Sequence, residues 1–199
     1  MKGLEQNLKA DVAGEVYFDQ FNRGRYATDA SHYQVMPAGV VVPRSIEDVR
    51  QTLFHARAEG VPVLARGGGS SQCGQTVSPG LVVDHSKYLN RMLELDVENR
   101  RCVVEPGMVL DELNAQLQPH GLWFPVDVST SSRATLGGMA GNNSAGSRSI
   151  RYGLMRDNVL AIAATLADGS DRDFGAIDPA ATAASATDEL TSRLLQLGE

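Results

Sequence analysis

Two glycine-rich segments contain the residues whose types and spacing could do chemistry. The first runs from Arg66 to Thr76 and reads RGGGSSQCGQT. Consecutive glycines let a backbone turn its N–H groups inward, so that several amides can bind one anion together. The serine hydroxyls and the arginine charge add donors that suit phosphate oxygens. The segment therefore favours an anion site over a flexible surface turn.

Two familiar phosphate motifs do not fit this first segment. Gly69 and Gly74 have the spacing of a P-loop, but Gln75 stands where that motif has its lysine. A dinucleotide-binding fingerprint needs a third glycine and opens a helix, and the residues after Gly69 provide neither. We therefore predict a pyrophosphate site of a third kind.

The second glycine-rich segment, residues 125–153, combines small residues with uncharged donors and acceptors. A surface of this composition suits a flat polar heterocycle, which the backbone can approach closely. The alternative interpretation of the segment is a serine-rich surface loop. Long ordered loops tend to be functional, and an anion site on the same chain favours the binding role. Asp127 either orients a ligand hydroxyl group or caps a turn.

A strand, a helix and a second strand precede the first segment. The run Gly39–Val42 predicts a buried strand. Ser45 is a helix cap with Asp48 at the third helical position, and Gly60 ends that helix. Residues 61–65 predict the next strand, which leads directly into the first glycine-rich segment. This strand–helix–strand unit therefore positions the candidate anion site.

The rest of the chain predicts a mixed α+β organisation. Further strands are expected at residues 81–84 and 159–167, a hairpin at 91–97 and 101–104, and helices around Leu110–Leu117 and Leu190–Leu197. Residues 4–21 are weakly helical, and residues 24–36 predict an irregular arm laid over the body.

Composition excludes several classes of protein. The chain has 199 residues, 20 of them glycine, and a net charge of −6, so neither nucleic acid nor a membrane surface is an expected partner. We find no signal peptide and no transmembrane segment. Cys73 and Cys102 are expected to be free thiols, which favours the cytoplasm, with a peripheral position at the inner membrane as an alternative. The four histidines lack ligand spacing, so no metal site is expected.

Together the two segments resemble the FAD-linked oxidase family, whose PCMH-type FAD-binding domain has the vanillyl-alcohol-oxidase fold. The similarity covers residues 37–173 and includes Pro62 to Gln75, Val104 to Gly107, Thr135 to Gly138 and Asn142 to Gly146. It implies an α+β fold of two α/β subdomains, a βαβ unit and a mainly antiparallel sheet with helices. The cofactor implied is FAD.

The resemblance also implies which residues bind this cofactor. Arg66 to Gln75 would hold the pyrophosphate, and Asp127 to Asn143 would line the ribityl chain and the ring. The implied cofactor-binding residues are Arg66, Gly67, Gly68, Gly69, Ser70, Ser71, Gly74, Gln75, Pro125, Asp127, Ser131, Thr135, Gly137, Gly138, Asn142, Asn143, Ser144, Gly146 and Val159. Some family members hold FAD covalently through a histidine in the pyrophosphate loop. Ser70 occupies that position here, which implies non-covalent FAD.

Residues 25–43 are similar to the opening of the flavin D-2-hydroxy-acid dehydrogenases, which include D-lactate, glycolate and D-2-hydroxyglutarate dehydrogenases. Gly137 to Ser144 is closer to members that carry a C-terminal iron–sulfur domain. The whole enzyme would then oxidise a small 2-hydroxy acid by hydride transfer to flavin N5 and pass electrons to an acceptor. The alternatives are an oxidase of the same fold that acts on a sugar or another alcohol, a FAD-binding subunit without its own catalysis, and a plain α+β domain.

The resemblance divides the chain into four parts. These are an N-terminal arm at residues 1–36, FAD-binding subdomain 1 at 37–86, FAD-binding subdomain 2 at 87–175, and the start of a helical segment at 176–199 that leads to a substrate domain. The catalytic groups are expected in that further domain, so we expect an N-terminal fragment with no hydroxy-acid turnover of its own.

Overall fold

The computed structural model describes residues 2–176 and 189–197. Its helices are α1 (Lys2–Asp11), α2 (Gln20–Arg25), α3 (Ile46–Ala58), α4 (Leu110–Leu117), α5 (Leu136–Gly141), α6 (Ser149–Tyr152), α7 (Met155–Asn158) and α8 (Glu189–Leu197). Its strands are β1 (Glu15–Tyr17), β2 (Gly39–Val42), β3 (Val63–Arg66), β4 (Leu81–Asp84), β5 (Met92–Asp96), β6 (Arg101–Val104), β7 (Ile162–Thr165) and β8 (Asp171–Phe174). The predicted final helix is confirmed as α8, and residues 177–188 lie outside the described part of the chain.

A four-stranded sheet with the strand order β1-β2-β4-β3 leads into the first glycine-rich segment. The three strands β2, β4 and β3 are parallel, with Val40 and Leu64 on either side of Val82. All four residues of β2 and all four of β4 are buried, as their continuous apolar sequences predict. Since β3 and β4 end together at Arg66 and Asp84, the first glycine-rich segment leaves the carboxyl edge of this sheet.

The predicted helix after Ser45 is confirmed as α3. The Ser45 hydroxyl accepts a hydrogen bond from the Asp48 amide at 3.1 Å. The Asp48 carboxylate instead accepts from the amides of Arg44 at 2.7 Å and Ala13 at 3.0 Å. Gly60 follows the helix with a φ of +65°, which suits a residue without a β-carbon. Asp48 therefore joins the start of α3 to the N-terminal segment.

The N-terminal residues include a helix, α1, and a strand, β1, that belong to the core and the sheet of the domain. Leu4 and Leu8 of α1 are fully buried in the same core cluster as Val41. Strand β1 pairs antiparallel with β2 and extends the sheet. Two leucines in an otherwise polar helix gave too weak a periodic signal to show this burial. The subdomain boundaries themselves stay a prediction.

A second core cluster contains several apolar residues of the second glycine-rich segment. It is formed by Met108, Leu110, Leu113, Leu117, Val126, Ala134, Leu136, Met139 and Met155. The predicted hairpin is confirmed as β5–β6, and Leu95 and Cys102 of that hairpin pack on this cluster. The predicted strand at 159–167 is shorter, because Val159 follows α7 as its C-cap. Strand β8, which the sequence analysis did not identify, pairs with β7.

Candidate functional site

The first glycine-rich segment is fixed to the chain by Arg66 at its start. The guanidinium group of Arg66 donates hydrogen bonds to the carbonyl oxygens of Tyr26 at 3.2 Å, Thr28 at 2.8 Å and Thr76 at 2.8 Å. Burial lowers the pKa of Arg66 from its usual value. These contacts give Arg66 a role in closing the segment, and its contact with the pyrophosphate stays a prediction.

Residues 26–33 support the same segment from outside. The amide of Ala30 donates to the carbonyl oxygen of Gly69 at 3.2 Å. The carboxylate of Asp29 accepts from the hydroxyl of Thr76 at 2.9 Å. The ring of Tyr33 lies where a side chain at Gly74 would have to be. Sequence reasoning did not give these residues a role, although they lie in the part of the chain that resembles hydroxy-acid dehydrogenases.

The structure brings the two predicted segments together. A β-carbon at Gly67 would collide with the hydroxyl of Thr135, and one at Gly68 would collide with the carbonyl oxygen of Arg133. Further along, the side-chain amide of Gln75 donates to Asn142 Oδ1 at 3.3 Å. Residues 67 and 68 therefore have to be glycine, because the two segments are in contact at these positions.

A row of unpaired amides distinguishes the first segment. Within the described part of the chain, the backbone N–H groups of residues 68–72 donate to no acceptor. Gly69 and Gly74 have φ angles of +64° and +76°, so the backbone curves here. The Ser70 hydroxyl is likewise without a partner among the described residues, whereas Ser71 is hydrogen-bonded to Gln75. Consecutive free amides in a curved backbone can bind an anion.

In the second segment, the amides of Leu136 and Gly137 donate to the carbonyl oxygens of Met108 and Pro106, and the exposed surface of α5 consists of small residues. Thr135 caps α5, is buried, and accepts from the amide of Gly138 at 3.4 Å. Gly138 and Gly141 are exposed on α5, and nothing lies within 4 Å of a β-carbon built at Gly141. The side chains of Asn142 and Asn143 follow this helix and are exposed. A flat ring could approach the α5 backbone closely at this surface.

Asp127 caps a turn, which is one of the two roles considered for it, and its contact with a ribityl hydroxyl stays a prediction. Its carboxylate accepts from the hydroxyl of Ser147 at 2.7 Å and from the amide of Arg148 at 3.0 Å. Both hydrogen bonds lower the pKa of the Asp127 carboxyl group, and the one from the Arg148 amide has the larger effect. A β-carbon at Gly146 would collide with the same carboxylate, so Gly146 serves this turn as well.

The remaining predicted residues are found in supporting positions. Gly137 packs against Pro106, and the carbonyl oxygen of Ser131 accepts from the amide of Asp111 at 3.2 Å. The amide of Ser144 donates to the carbonyl oxygen of Met139 at 2.9 Å. Pro125 is half-buried, and Val159 packs on the second core cluster. These residues make backbone or packing contacts rather than forming one cluster of side chains.

Two properties of the described residues concern other ligands. Within residues 2–176 and 189–197, no helix has both the length and the apolar character needed to cross a bilayer. In the same two ranges, no group of three or more His, Cys, Asp or Glu side chains could hold a metal ion.

Comparison of the sequence with known protein families identifies the kind of domain that contains this site. Residues 37–175 match the family described as FAD binding domain, which is more than half of the chain. The chain belongs to this family. FAD is therefore the cofactor of the domain, as the resemblance implied.

Two curated relatives are a dehydrogenase and a subunit of an oxidase. This FAD-binding domain is 39% identical over 181 residues to D-2-hydroxyglutarate dehydrogenase of Pseudomonas putida, which covers 89% of the chain and 18% of that protein. It is 36% identical over 172 residues to glycolate oxidase subunit GlcD of Bacillus subtilis, which covers 84% of the chain and 36% of that protein. The chain thus spans well under half the length of either relative.

Solved structures confirm the PCMH-type α+β fold. Alkyldihydroxyacetonephosphate synthase superposes with a TM-score of 0.78 at 21% identity, over 89% of this chain and 35% of that one. The enzyme 6-hydroxy-D-nicotine oxidase from Arthrobacter nicotinovorans superposes with a TM-score of 0.71 at 25% identity, over 82% of this chain and 36% of that one. These similarities extend the family assignment to the three-dimensional arrangement of the FAD-binding domain.

The residues of this chain fit FAD. The unpaired amides of residues 68–72 are suited to a pyrophosphate, and the exposed glycines of α5 leave room for a ring. The bridge from Gln75 to Asn142 joins these two surfaces at one place. Both parts of a nucleotide-linked flavin therefore find a complementary surface.

Proposed function

We propose that this domain binds FAD non-covalently, with the pyrophosphate on the amides of residues 68–72 and the flavin along the exposed surface of α5. The row of unpaired amides carries the proposal, because it is a set of donors without acceptors among residues 2–176 and 189–197. Gly138 and Gly141 would allow close approach of the ring, and Asn142 and Asn143 would contact its polar edge.

The non-covalent attachment is proposed from the chemistry of the loop. No histidine lies between Arg66 and Thr76, and the free hydroxyl of Ser70 can donate a hydrogen bond but offers no ring nitrogen for a flavin bond. When bound, FAD supplies a two-electron acceptor for substrate oxidation. The role of this chain is to bind and orient that cofactor.

The complete protein is proposed to oxidise a small 2-hydroxy acid. Support comes from the names of the relatives, a D-2-hydroxyglutarate dehydrogenase and a glycolate oxidase subunit. Because the chain spans 18% and 36% of those two proteins, we propose that the groups contacting the substrate and the electron acceptor lie outside these residues. A cytoplasmic location is proposed because Cys73 and Cys102 are both free, and Cys73 is exposed.

Binding of FAD can be tested on the purified chain. The chain is mixed with FAD, separated from free flavin by gel filtration, and examined by visible absorption. We expect a yellow protein whose flavin passes entirely into the supernatant after acid precipitation. A colourless protein would contradict FAD binding, and flavin that stays in the precipitate would contradict the non-covalent attachment.

A pair of glycine variants tests where the ring binds. Gly141→Leu places a side chain in open space on α5, and Gly24→Leu does the same on helix α2. We expect only Gly141→Leu to abolish FAD binding, while both variants keep the far-ultraviolet circular dichroism of the parent chain. Equal FAD affinity in the two variants would place the ring elsewhere.

Substrate turnover is tested by adding D-lactate or D-2-hydroxyglutarate together with a dye acceptor. We expect the 199-residue chain to bind FAD without reducing the dye. Rapid dye reduction by this chain would contradict the proposal that the substrate groups lie outside it. Failure of the complete protein to oxidise any 2-hydroxy acid would refute the proposed substrate class.

A further inference from the structure

The first segment has too little free positive charge for the ligand proposed for it. A pyrophosphate carries negative charge on its oxygens, and charge-assisted hydrogen bonds from a guanidinium bind it strongly. Arg66 is the sole Lys or Arg between residues 66 and 76, and three of its five N–H donors bind the carbonyl oxygens of Tyr26, Thr28 and Thr76. The complementary charge has to come from another part of the chain.

Arg133 lies at the junction of the two segments. Its carbonyl oxygen abuts Gly68, and its Cβ is 3.6 Å from the position that a β-carbon at Gly68 would occupy. The amide of Arg133 and that of Ala134 both donate to the Thr130 carbonyl oxygen at 2.8 Å. This tight turn fixes the backbone from which the side chain starts. The Arg133 side chain therefore begins next to Gly68, the first of the residues 68–72 whose amides are unpaired.

The guanidinium group of Arg133 is uncommitted. The residue is exposed, and its side chain has no hydrogen bond or ion pair within the described part of the chain. The arginines between residues 148 and 156 are engaged. Arg148 contacts Asp127 at 3.6 Å, and Arg156 contacts Asp157 at 3.7 Å. Arg151 lies over the ring of Tyr152 at 5.3 Å. Arg133 therefore differs from these neighbours in having its charge available.

We infer that Arg133 is a FAD-binding residue whose guanidinium group contacts the pyrophosphate and supplies the charge that Arg66 does not. The inference rests on the proposed FAD site. The planar donors of arginine match two phosphate oxygens at once, which an ammonium group cannot do. The signal available in the sequence was one arginine in the otherwise uncharged run from Val128 to Asn143.

The test compares Arg133→Gln and Arg133→Lys with the parent chain and with Arg101→Gln as a matched control. Arg101 is exposed on β6, opposite Asp96 in the hairpin register. Dissociation constants for FAD and for riboflavin, which has no phosphate, are measured by flavin fluorescence at low and high salt. The urea midpoint of each variant without flavin reports its stability.

We expect Arg133→Gln to weaken FAD binding about tenfold at low salt, equivalent to about 1.4 kcal/mol. The loss should shrink at high salt, because screening weakens a charge contact that is open to solvent. Riboflavin affinity and the urea midpoint should not change, Arg133→Lys should lose less affinity than Arg133→Gln, and Arg101→Gln should match the parent chain.

Three results would overturn the inference. The first is FAD affinity of Arg133→Gln within about twofold of the parent chain, which is less than about 0.5 kcal/mol. The second is an equal loss for FAD and riboflavin at both salt concentrations, which would assign Arg133 a structural role. The third is a parent chain that binds no FAD, which refutes the proposed function itself and is visible before any variant is made.

Discussion

Arg66→Lys separates a structural from a ligand-binding role for the arginine that begins the first glycine-rich segment. In the structure, its guanidinium group bonds three carbonyl oxygens, two at 2.8 Å and one at 3.2 Å. These carbonyls belong to Tyr26, Thr28 and Thr76, so the side chain links the N-terminal residues to both ends of the segment. A lysine keeps the positive charge but has a single nitrogen, which cannot reach three separate acceptors.

The expected loss follows from the number of hydrogen bonds. If the lysine keeps one of the three, two carbonyl contacts are lost, at about 1–1.5 kcal/mol each. We therefore expect the free energy of unfolding without FAD to fall by about 2–3 kcal/mol. The contact with Thr28 is exposed, which places the result towards the lower end of that range.

Urea unfolding of the chain without flavin measures this loss directly, and Arg101→Lys is the control because Arg101 is exposed on β6. A direct role of Arg66 on the phosphate predicts the opposite pattern, namely unchanged stability without flavin and weaker FAD binding. An unfolding free energy within about 0.5 kcal/mol of the parent chain would refute the structural role, because that is the size of an ordinary surface substitution.

Three further perturbations test other contacts. Gly67→Ala should destabilise the chain by about 1–3 kcal/mol, measured by urea unfolding, because the new methyl group would collide with Thr135; a stable variant would mean that the two segments can separate. Asp127→Ala should lower the thermal midpoint, since the turn loses its cap, while FAD affinity changes little; a large loss of affinity without a loss of stability would restore the ribityl role. Glu15 has its pKa lowered from 4.5 to about 2 by hydrogen bonds from Lys87, Tyr17 and Tyr88. Its stabilisation is complete above pH 4.5 and is lost as the pH falls towards 2, so Glu15→Gln should flatten this part of the stability–pH curve; parallel curves for both proteins would contradict the shift.

Local signals in the sequence were sufficient for the elements that carry the first segment. The run Gly39–Val42 is buried over its whole length, and Ser45 caps α3 as predicted. Both depend on neighbours within a few residues, which a sequence displays directly. The place of β4 between β2 and β3 does not follow from such signals, since parallel pairing joins residues such as Val40 and Val82 that are far apart in the chain.

Side-chain partners were harder to predict than elements. Arg66 and Asp127 were both expected to contact the ligand, because a charge beside a glycine-rich segment suits phosphates and hydroxyls. The structure shows a backbone partner for each, the carbonyl of Thr28 for Arg66 and the amide of Arg148 for Asp127, and their ligand contacts stay predictions. Since these partners are 38 and 21 residues away, no local pattern could reveal them.

The glycines themselves have a different function from the one their number suggested. Gly67 and Gly68 are required because Thr135 and Arg133 lie against their backbone, so these two glycines serve contact between segments of the protein. The ligand-binding property lies in the amides that this contact leaves unpaired at residues 68–72. Because Arg66 and residues 26–33 hold the same backbone from the other side, the donors are already fixed in position when the ligand arrives. A site organised in this way loses little conformational entropy on binding, so its affinity for FAD should depend on the rigidity of the two segments as well as on direct contacts with the ligand.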